Sequence, residues 1–379
     1  MQPLRVAALM DTSIISGPGR QLVAVADELR HHQVELLIIT FRRRGKAASP
    51  FPAYARERGI RCEEVDESSR LDRRILTSVS RLIREHGAHV LQSHSYKPAA
   101  VAALVRRTVG LPWIGMFHGT TLEDRRVRLY NWIDRRLLRL ADRIVVVSPS
   151  QETMFGRSPK VQVIPNAVLE PMSQEFADAR VTAAPRPRIA VIGRLSHEKG
   201  VDVFLDALAV LRQRGFAGSA LIVGDGPDRV PLEEKAKALG LTGGLDFLGH
   251  RSDVDAIYPH LDLVVIPSRS EGMPNVLLEA IRADRPVVAT SVGAIPSMIR
   301  ATSAALLVPP AQPALLAAAI VTGLDELQSS EARSARAGVA REYSLDRRAR
   351  LFRSLYEDVV QSHPSMPHEA MAMSAGTDG

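Results

Sequence analysis

Cysteine is almost absent: Cys62 stands alone in 379 residues. A lone thiol excludes a disulfide framework, a Cys-rich zinc site and a cysteine redox pair. Aromatic residues make up only 4% of the chain. That is too few for the stacking platforms that hold single-stranded nucleic acid, so no nucleic-acid partner is expected. No run approaches the roughly 20 uninterrupted apolar residues that span a bilayer. Met1 to Met10 reads as a β-strand and lacks the long apolar core and cleavage site of a signal peptide. The cytoplasm is the expected compartment.

What is present is the balance of a globular protein, with 45% hydrophobic and 24% charged residues. At about 100–200 residues per domain, the length favours two domains. The net charge of +7 is unevenly placed. Residues 1–180 hold 28 Lys and Arg against 19 Asp and Glu, a net of +9, and the remainder nets −2. A basic half suggests an anionic partner, and the charge alone leaves nucleic acid, anionic lipid and a phosphorylated small molecule open.

Short Val/Ile/Leu runs alternate with amphipathic stretches from end to end. In the first half the strand candidates are Leu4–Leu9, Val34–Ile39, Cys62–Val65, His89–Gln92, Trp113–Phe117, Arg143–Val147 and Val161–Ile164. Helical patterns such as Arg20–His31, Leu71–His86 and Pro98–Val109 separate them. The rhythm breaks over Pro165–Pro187, where Pro165, Pro171, Pro185 and Pro187 cluster. It resumes with Arg188–Ile192, Ala220–Val223, Asp246–Leu248, Leu263–Ile266, Val287–Ala289 and Ala305–Val308. Unbroken apolar runs between helices mean parallel sheets buried on both faces. The expected fold is α/β, two doubly wound Rossmann-like domains facing across a central cleft. The expected boundaries are 1–170, a linker at 171–187, and a second domain at 188–342. A disordered tail at 363–379 completes the chain.

Ligands of doubly wound sheets bind beyond the carboxyl ends of the strands. After the first strand, Gly17-Pro18-Gly19 opens a helix and lets backbone approach a phosphate. It is not a dinucleotide fingerprint, because the third glycine position is Leu22. His118-Gly119 ends the strand Trp113–Phe117, and His94 follows another strand similarly. Ile189–Ile192 runs into Gly193-Arg194-Leu195-Ser196-His197-Glu198-Lys199-Gly200. There Arg194 and Lys199 sit in a glycine-bounded loop and can grip adjacent phosphates. Leu263–Ile266 leads to Glu271, then Gly272-Met273-Pro274-Asn275, then Glu279. Glu279 falls one or two turns into a helix, depending on whether that helix starts at Asn275 or at Gly272.

Together these stretches resemble the retaining nucleotide-sugar glycosyltransferases of family 4, which have the GT-B fold. The matching residues are Gly193-Arg194-Leu195 with Lys199-Gly200, Gly224-Asp225-Gly226-Pro227, Phe247-Leu248-Gly249 and the Glu-x7-Glu element from Glu271 to Glu279. Phe117-His118-Gly119, Val146-Val147-Ser148 and Ile164-Pro165-Asn166-Ala167 add to it in the first half. The resemblance covers roughly residues 4–360. It departs at Gly17-Pro18-Gly19, where the family often has Gly-Gly, and at Ala167, where Gly is common.

The resemblance implies a helix at 343–362 that packs back on the first domain, and roles residue by residue. Arg194 and Lys199 hold the donor diphosphate, and Glu279 takes the ribose hydroxyls. Glu271 and the backbone of Gly272, Met273, Pro274 and Asn275 grip the donor sugar. His118 contacts the sugar near the reacting centre, and the loop around Arg251 meets the nucleobase, mostly through backbone. Gly17 and Gly19 approach the diphosphate from the other domain. The transfer retains anomeric configuration by front-face substitution, so Glu271 positions the sugar and does not act as a base. The donor is a UDP-hexose first and GDP-mannose second. The acceptor is a saccharide or polyprenyl-linked saccharide of bacterial polysaccharide synthesis, met at the inner face of the cell membrane.

Asp253-Val254-Asp255 has the form of a metal-binding Asp-x-Asp, but helix N-capping accounts for Asp253. No metal and no cofactor are expected. Arg125–Arg143 carries seven Arg, with Leu129, Trp132, Ile133, Leu137 and Leu140 at helix-like spacing. One stripe must pack on the sheet. The other face, with Arg42-Arg43-Arg44 and Lys46, is either a surface for an anionic membrane or a plain solvated face. The competing readings are a nucleotide-sugar epimerase of the same fold and a non-catalytic sugar-nucleotide-binding protein.

Overall fold

Two parallel sheets organise the chain. The computed structural model describes residues 3–43, 45, 47–68, 72–119, 125–156, 158–172, 178–299 and 303–363, and for 125–129 the backbone only. Beyond His363, the expected tail lies outside the described residues. The first sheet holds β1 (Leu4–Met10), β2 (Val34–Arg43), β3 (Arg61–Glu67), β4 (Val90–His94), β5 (Trp113–Phe117), β6 (Arg143–Val146) and β7 (Val161–Val163). Their spatial order is β3-β2-β1-β4-β5-β6-β7. The second holds β8 (Arg188–Ile192), β9 (Ser219–Val223), β10 (Leu245–Gly249), β11 (Leu263–Ile266), β12 (Val287–Thr290) and β13 (Leu306–Val308), in the order β10-β9-β8-β11-β12-β13. The expected doubly wound α/β fold is what the chain adopts.

In both sheets the strand order reverses beside the first strand of the unit. The switch points are β1/β4 and β8/β11, where such sheets open a crevice at their carboxyl ends. Val6 through Leu9, Leu37 through Ile39 and Leu263 through Val265 are fully buried, as strands covered on both faces must be.

The first unit takes in the described residues up to Gly119, Arg126–Pro165 and the chain from Leu345; the second takes Asn166–Ser344. In the first, helix Gly17–His31 starts at Ser16, whose Oγ accepts from the Gly19 N–H at 3.3 Å. The C-terminal helix Leu345–Gln361 buries Phe352, Leu355, Tyr356 and Val359 and packs beside helix Gly17–His31.

Several expectations change. The segment 171–187 is not a free linker where it is described. Asp255 Oδ2 accepts from Met172 N at 2.9 Å, and Asn166 bonds to the Met273–Asn275 stretch. The second unit therefore starts at Asn166. On helix Arg125–Leu138, Leu138 is the fully buried residue among the described side chains and fills the space above Gly115, where a Cβ would lie 2.3 Å from Leu138 Cδ2. Trp132 and Leu140, expected on the packed stripe, are exposed. Arg42 and Arg43 are tied across strands to Asp66 and Glu67, at 2.6 and 3.1 Å. Arg44 and Lys46 lie outside the described residues, as do the side chains of Arg125 through Leu129.

Candidate active site

The second unit builds its site from the loops that follow β8 and β11, the two strands at its switch point. The β8 loop, Gly193 to Gly200, is fastened to the β9 loop by Gly193 N to Val223 O (2.9 Å) and Leu195 N to Asp225 O (3.0 Å). It is fastened to the β11 loop by Arg269 N to Glu198 O at 2.8 Å. Gly200 makes that approach possible. Its φ is +64°, and a Cβ there would sit 2.1 Å from the Pro267 carbonyl oxygen.

This packing brings Lys199 onto Glu271. Lys199 Nζ donates to Glu271 Oε1 at 2.7 Å and to Oε2 at 2.9 Å. Ser268 Oγ donates to the same Oε1 at 2.7 Å. The Glu271 side chain is only 7% exposed, whereas that of Lys199 is 30% exposed and can reach solvent. Arg194, on the same loop, is exposed. The loop thus offers an accessible pair of cations, one of them anchored by a buried carboxylate.

The segment after Glu271 is clamped from two sides. Ala294 N donates to Gly272 O at 2.9 Å. Asn166 Nδ2 donates to Asn275 Oδ1 at 3.1 Å and to Met273 O at 3.4 Å. Helix Asn275–Arg282 then begins, which settles Glu279 one turn inside it. Tyr258 OH donates to Glu279 Oε2 at 2.8 Å. Burial, reinforced by Glu279 itself, holds the Tyr258 hydroxyl well above its ordinary value, so it stays a donor and orients the carboxylate.

Arg251 is not gathered into this group. Its guanidinium forks onto Asp253 at 2.8 and 2.6 Å and bonds Asp178 Oδ2 at 2.8 Å. Asp253 therefore pairs with Arg251 and makes no side-chain capping bond, contrary to the capping expectation. Asp255 is spent on Arg282 Nη2 (2.8 Å) and Met172 N. Ser268, Tyr258 and Asn166 had no assigned role in the sequence. Asn166 lay inside a motif and Ser268 just before one, but nothing local marked Tyr258.

Gly17, Gly19 and His118 belong to the first unit. Gly19 is committed to structure: its N–H serves Ser16, and a Cβ would meet Phe51 Cε2 at 2.9 Å. His118, just past β5, is partly buried, with Nε2 2.9 Å from Nδ1 of the buried His94. Burial, and then the charge of Arg348, pushes His118 down from 6.5 to about 4; burial also lowers His94 strongly.

Both rings are thus neutral in the native state, whereas the unfolded chain protonates them below pH 6.5. Unfolding then takes up protons between the two values, so stability falls with acid. The slope reaches about 1.4 kcal/mol per pH unit for each such ring. Asp134, raised by burial to about 7, acts in the opposite sense. His86, His89 and His260, also lowered by burial, reinforce the trend. Denaturant unfolding between pH 7 and 5 should show a monotonic loss of stability, and a flat profile would contradict the neutral pair.

Comparison with known proteins covers both units. The model "Glycosyl transferases group 1" matches residues 186–326, and "Glycosyltransferase Family 4" matches 15–168. Alpha-D-kanosaminyltransferase of Streptomyces kanamyceticus is 29% identical over 317 residues, 75% of this chain and 81% of the relative. The 2-deoxystreptamine glucosyltransferase of the same organism is 28% identical, over 75% and 81%. Among solved structures, Anabaena HepE in complex with UDP and glucose superposes with a TM-score of 0.79 at 20% identity, over 94% of this chain and 100% of that one. That last likeness is one of fold.

Proposed function

The chain belongs to glycosyltransferase family 4 and has the GT-B fold, and from that premise we propose that it moves a hexosyl group, with retention, from a UDP-hexose to an acceptor hydroxyl. The observation that carries this reading is Lys199 held 2.7 Å from Glu271 by loops meeting at the β8/β11 switch point. GDP-mannose is the second donor candidate. The relative named as a glucosyltransferase and the neighbour solved with UDP and glucose favour the first.

In this reading Arg194 and Lys199 take the diphosphate, and Glu279, oriented by Tyr258, takes the ribose hydroxyls. Glu271 and the clamped Gly272–Asn275 stretch take the sugar. The bond from the anomeric carbon to phosphate breaks as the acceptor oxygen joins the same face. The acceptor proton passes to the departing phosphate oxygen, and UDP leaves. Negative charge grows on that phosphate, and pre-positioned cations lower the barrier most there. Glu271 is engaged by Lys199 and Ser268. Those bonds favour a positioning role over that of the nucleophile used by retaining glycosidases.

Release of UDP from a panel of nucleotide sugars, with a cell lipid extract as acceptor source, tests the proposal. UDP-hexose should turn over, and EDTA should leave the rate largely intact. Complete loss with EDTA, restored by magnesium or manganese, would overturn the metal-independent part. An altered sugar without acceptor would indicate an epimerase, and binding without turnover a sugar-nucleotide-binding protein.

For the acceptor we propose a lipid-linked saccharide at the cytoplasmic membrane face. The exposed Trp132, with Arg136 5.0 Å from its ring centroid, and the exposed Leu140 mark a basic surface with apolar tips. No described helix is long and apolar enough to cross a membrane. Anionic vesicles should sediment the protein at low salt and release it at high salt, since the attraction decays within a Debye length. Indifference to anionic lipid at low salt would favour a soluble acceptor. The relative that glucosylates 2-deoxystreptamine makes an aminocyclitol the next choice.

A further inference from the structure

Behind His118 runs a file of buried polar groups to which the transfer chemistry assigns no part. Gln92 and His94 lie two residues apart on β4, so their side chains leave the same face. Tyr356, fully buried on the C-terminal helix, donates its hydroxyl to Gln92 Oε1 at 2.6 Å, across 264 residues of sequence. Gln92 Nε2 lies 2.8 Å from His94 Nε2, and His94 Nδ1 lies 2.9 Å from His118 Nε2. The two imidazoles are tilted by only 16°, with centroids 5.1 Å apart. Rings so nearly parallel, meeting nitrogen to nitrogen at that separation, lie edge to edge. The N–H of one then points along the lone pair of the other.

The direction of these bonds follows from the chemistry of each group. An amide oxygen only accepts and an amide nitrogen only donates. With Gln92 Oε1 taking the Tyr356 proton, Gln92 Nε2 must donate to His94 Nε2. That nitrogen is then unprotonated, so a neutral His94 carries its proton on Nδ1 and donates to His118 Nε2. The donor left to His118 is Nδ1–H.

We propose that Tyr356, Gln92 and His94 are positioning residues, a one-way hydrogen-bond relay that fixes His118 as the Nδ1–H tautomer so that it donates to a substrate oxygen at the carboxyl end of β5. The purpose of the relay rests on the transferase reading; its direction does not. Arg348, buried on the same helix and bonded to Gln21 Oε1 at 2.6 Å, adds a positive charge that disfavours a cationic His118. A neutral imidazole that donates a hydrogen bond can stabilise developing negative charge without releasing a proton.

The test is the ¹⁵N spectrum of the full chain labelled at histidine, with His94→Gln and His118→Gln used for assignment. Protonated and bare ring nitrogens resonate far apart. Wild type should show His118 protonated on Nδ1. Gln92→Glu replaces the donor by an acceptor, which should invert both rings and move the proton of His118 to Nε2. Tyr356→Phe keeps the packed ring but removes the hydroxyl, and should leave the tautomers mixed. Loss of a partner that orients a metal-bound histidine typically costs about tenfold to a hundredfold in activity, and a loss of that order is expected for a relay that orients His118. Gln92→Glu should show that loss in kcat, with the donor KM within about twofold of wild type.

An Nε2–H tautomer in wild type, or a tautomer unmoved in both variants, overturns the relay. Inversion with unchanged kcat overturns its part in transfer. If wild type released no nucleotide diphosphate from any donor, the transferase reading would fall, and the spectrum would still decide the relay.

Discussion

Lys199→Ala is expected to lower turnover about a hundredfold to a thousandfold, the usual cost of removing one donor to a developing anion. The side chain is held in place before donor arrives, by two hydrogen bonds to a carboxylate that is 7% exposed. A cation held there meets the leaving phosphate without reorganising. Deleting it also leaves Glu271 buried beside Ser268 without its counter-charge, so some stability is lost as well. Arg194→Ala separates the two effects. Arg194 is more exposed than Lys199, so its removal should cost turnover with a smaller change in thermal midpoint than Lys199→Ala. The measurement is steady-state UDP release beside a thermal melt of each variant. Turnover within twofold of wild type for both variants would remove the diphosphate assignment.

The second large effect is expected from a single methyl group. Gly200→Ala would force an L-residue to φ +64° and drive its Cβ to 2.1 Å from the Pro267 carbonyl oxygen. The obstacle is backbone, so no side chain can swing away. The left-handed conformation alone costs roughly 1–2 kcal/mol for such a residue, and parting the β8 and β11 loops adds to it. Since those loops hold Lys199 against Glu271, activity should fall with stability. Gly243→Ala is the control, because a Cβ at Gly243 meets nothing within 4 Å. The two proteins should differ by several degrees in melting temperature and by at least tenfold in turnover, since roughly 2–3 kcal/mol can come from the misplaced loop. Equal behaviour would show that the loops do not need the contact.

Much of this fold was legible in the chain. Trp113–Phe117, Arg188–Ile192 and Leu263–Ile266 form strands over the ranges their apolar runs mark. Other strands outrun their hydrophobic signal. β2 continues through Arg42 and Arg43 because they face Asp66 and Glu67 on β3 in register, an ion pairing that hydropathy does not register. β4 continues to His94 through Gln92 and Ser93, which are polar but buried. The proline-rich stretch read as a linker because prolines punctuate chains. Hydrogen bonds to Asp255 and Asn275 instead build its described start into the second unit.

The sequence by itself determined the α/β class, the glycine-bounded loops after the strands and the residue types gathered in them. These follow from local periodicity and turn chemistry, carried by neighbours along the chain. Only the tertiary structure decided partnership. It set Lys199 on Glu271 across 72 residues, gave Arg251 to Asp253 and Asp178, turned Tyr258 toward Glu279, and brought Tyr356 to Gln92. A buried polar group must find a complementary donor or acceptor wherever the folded chain supplies one. Those encounters depend on which strands the topology makes adjacent, and spacing along the sequence does not record them.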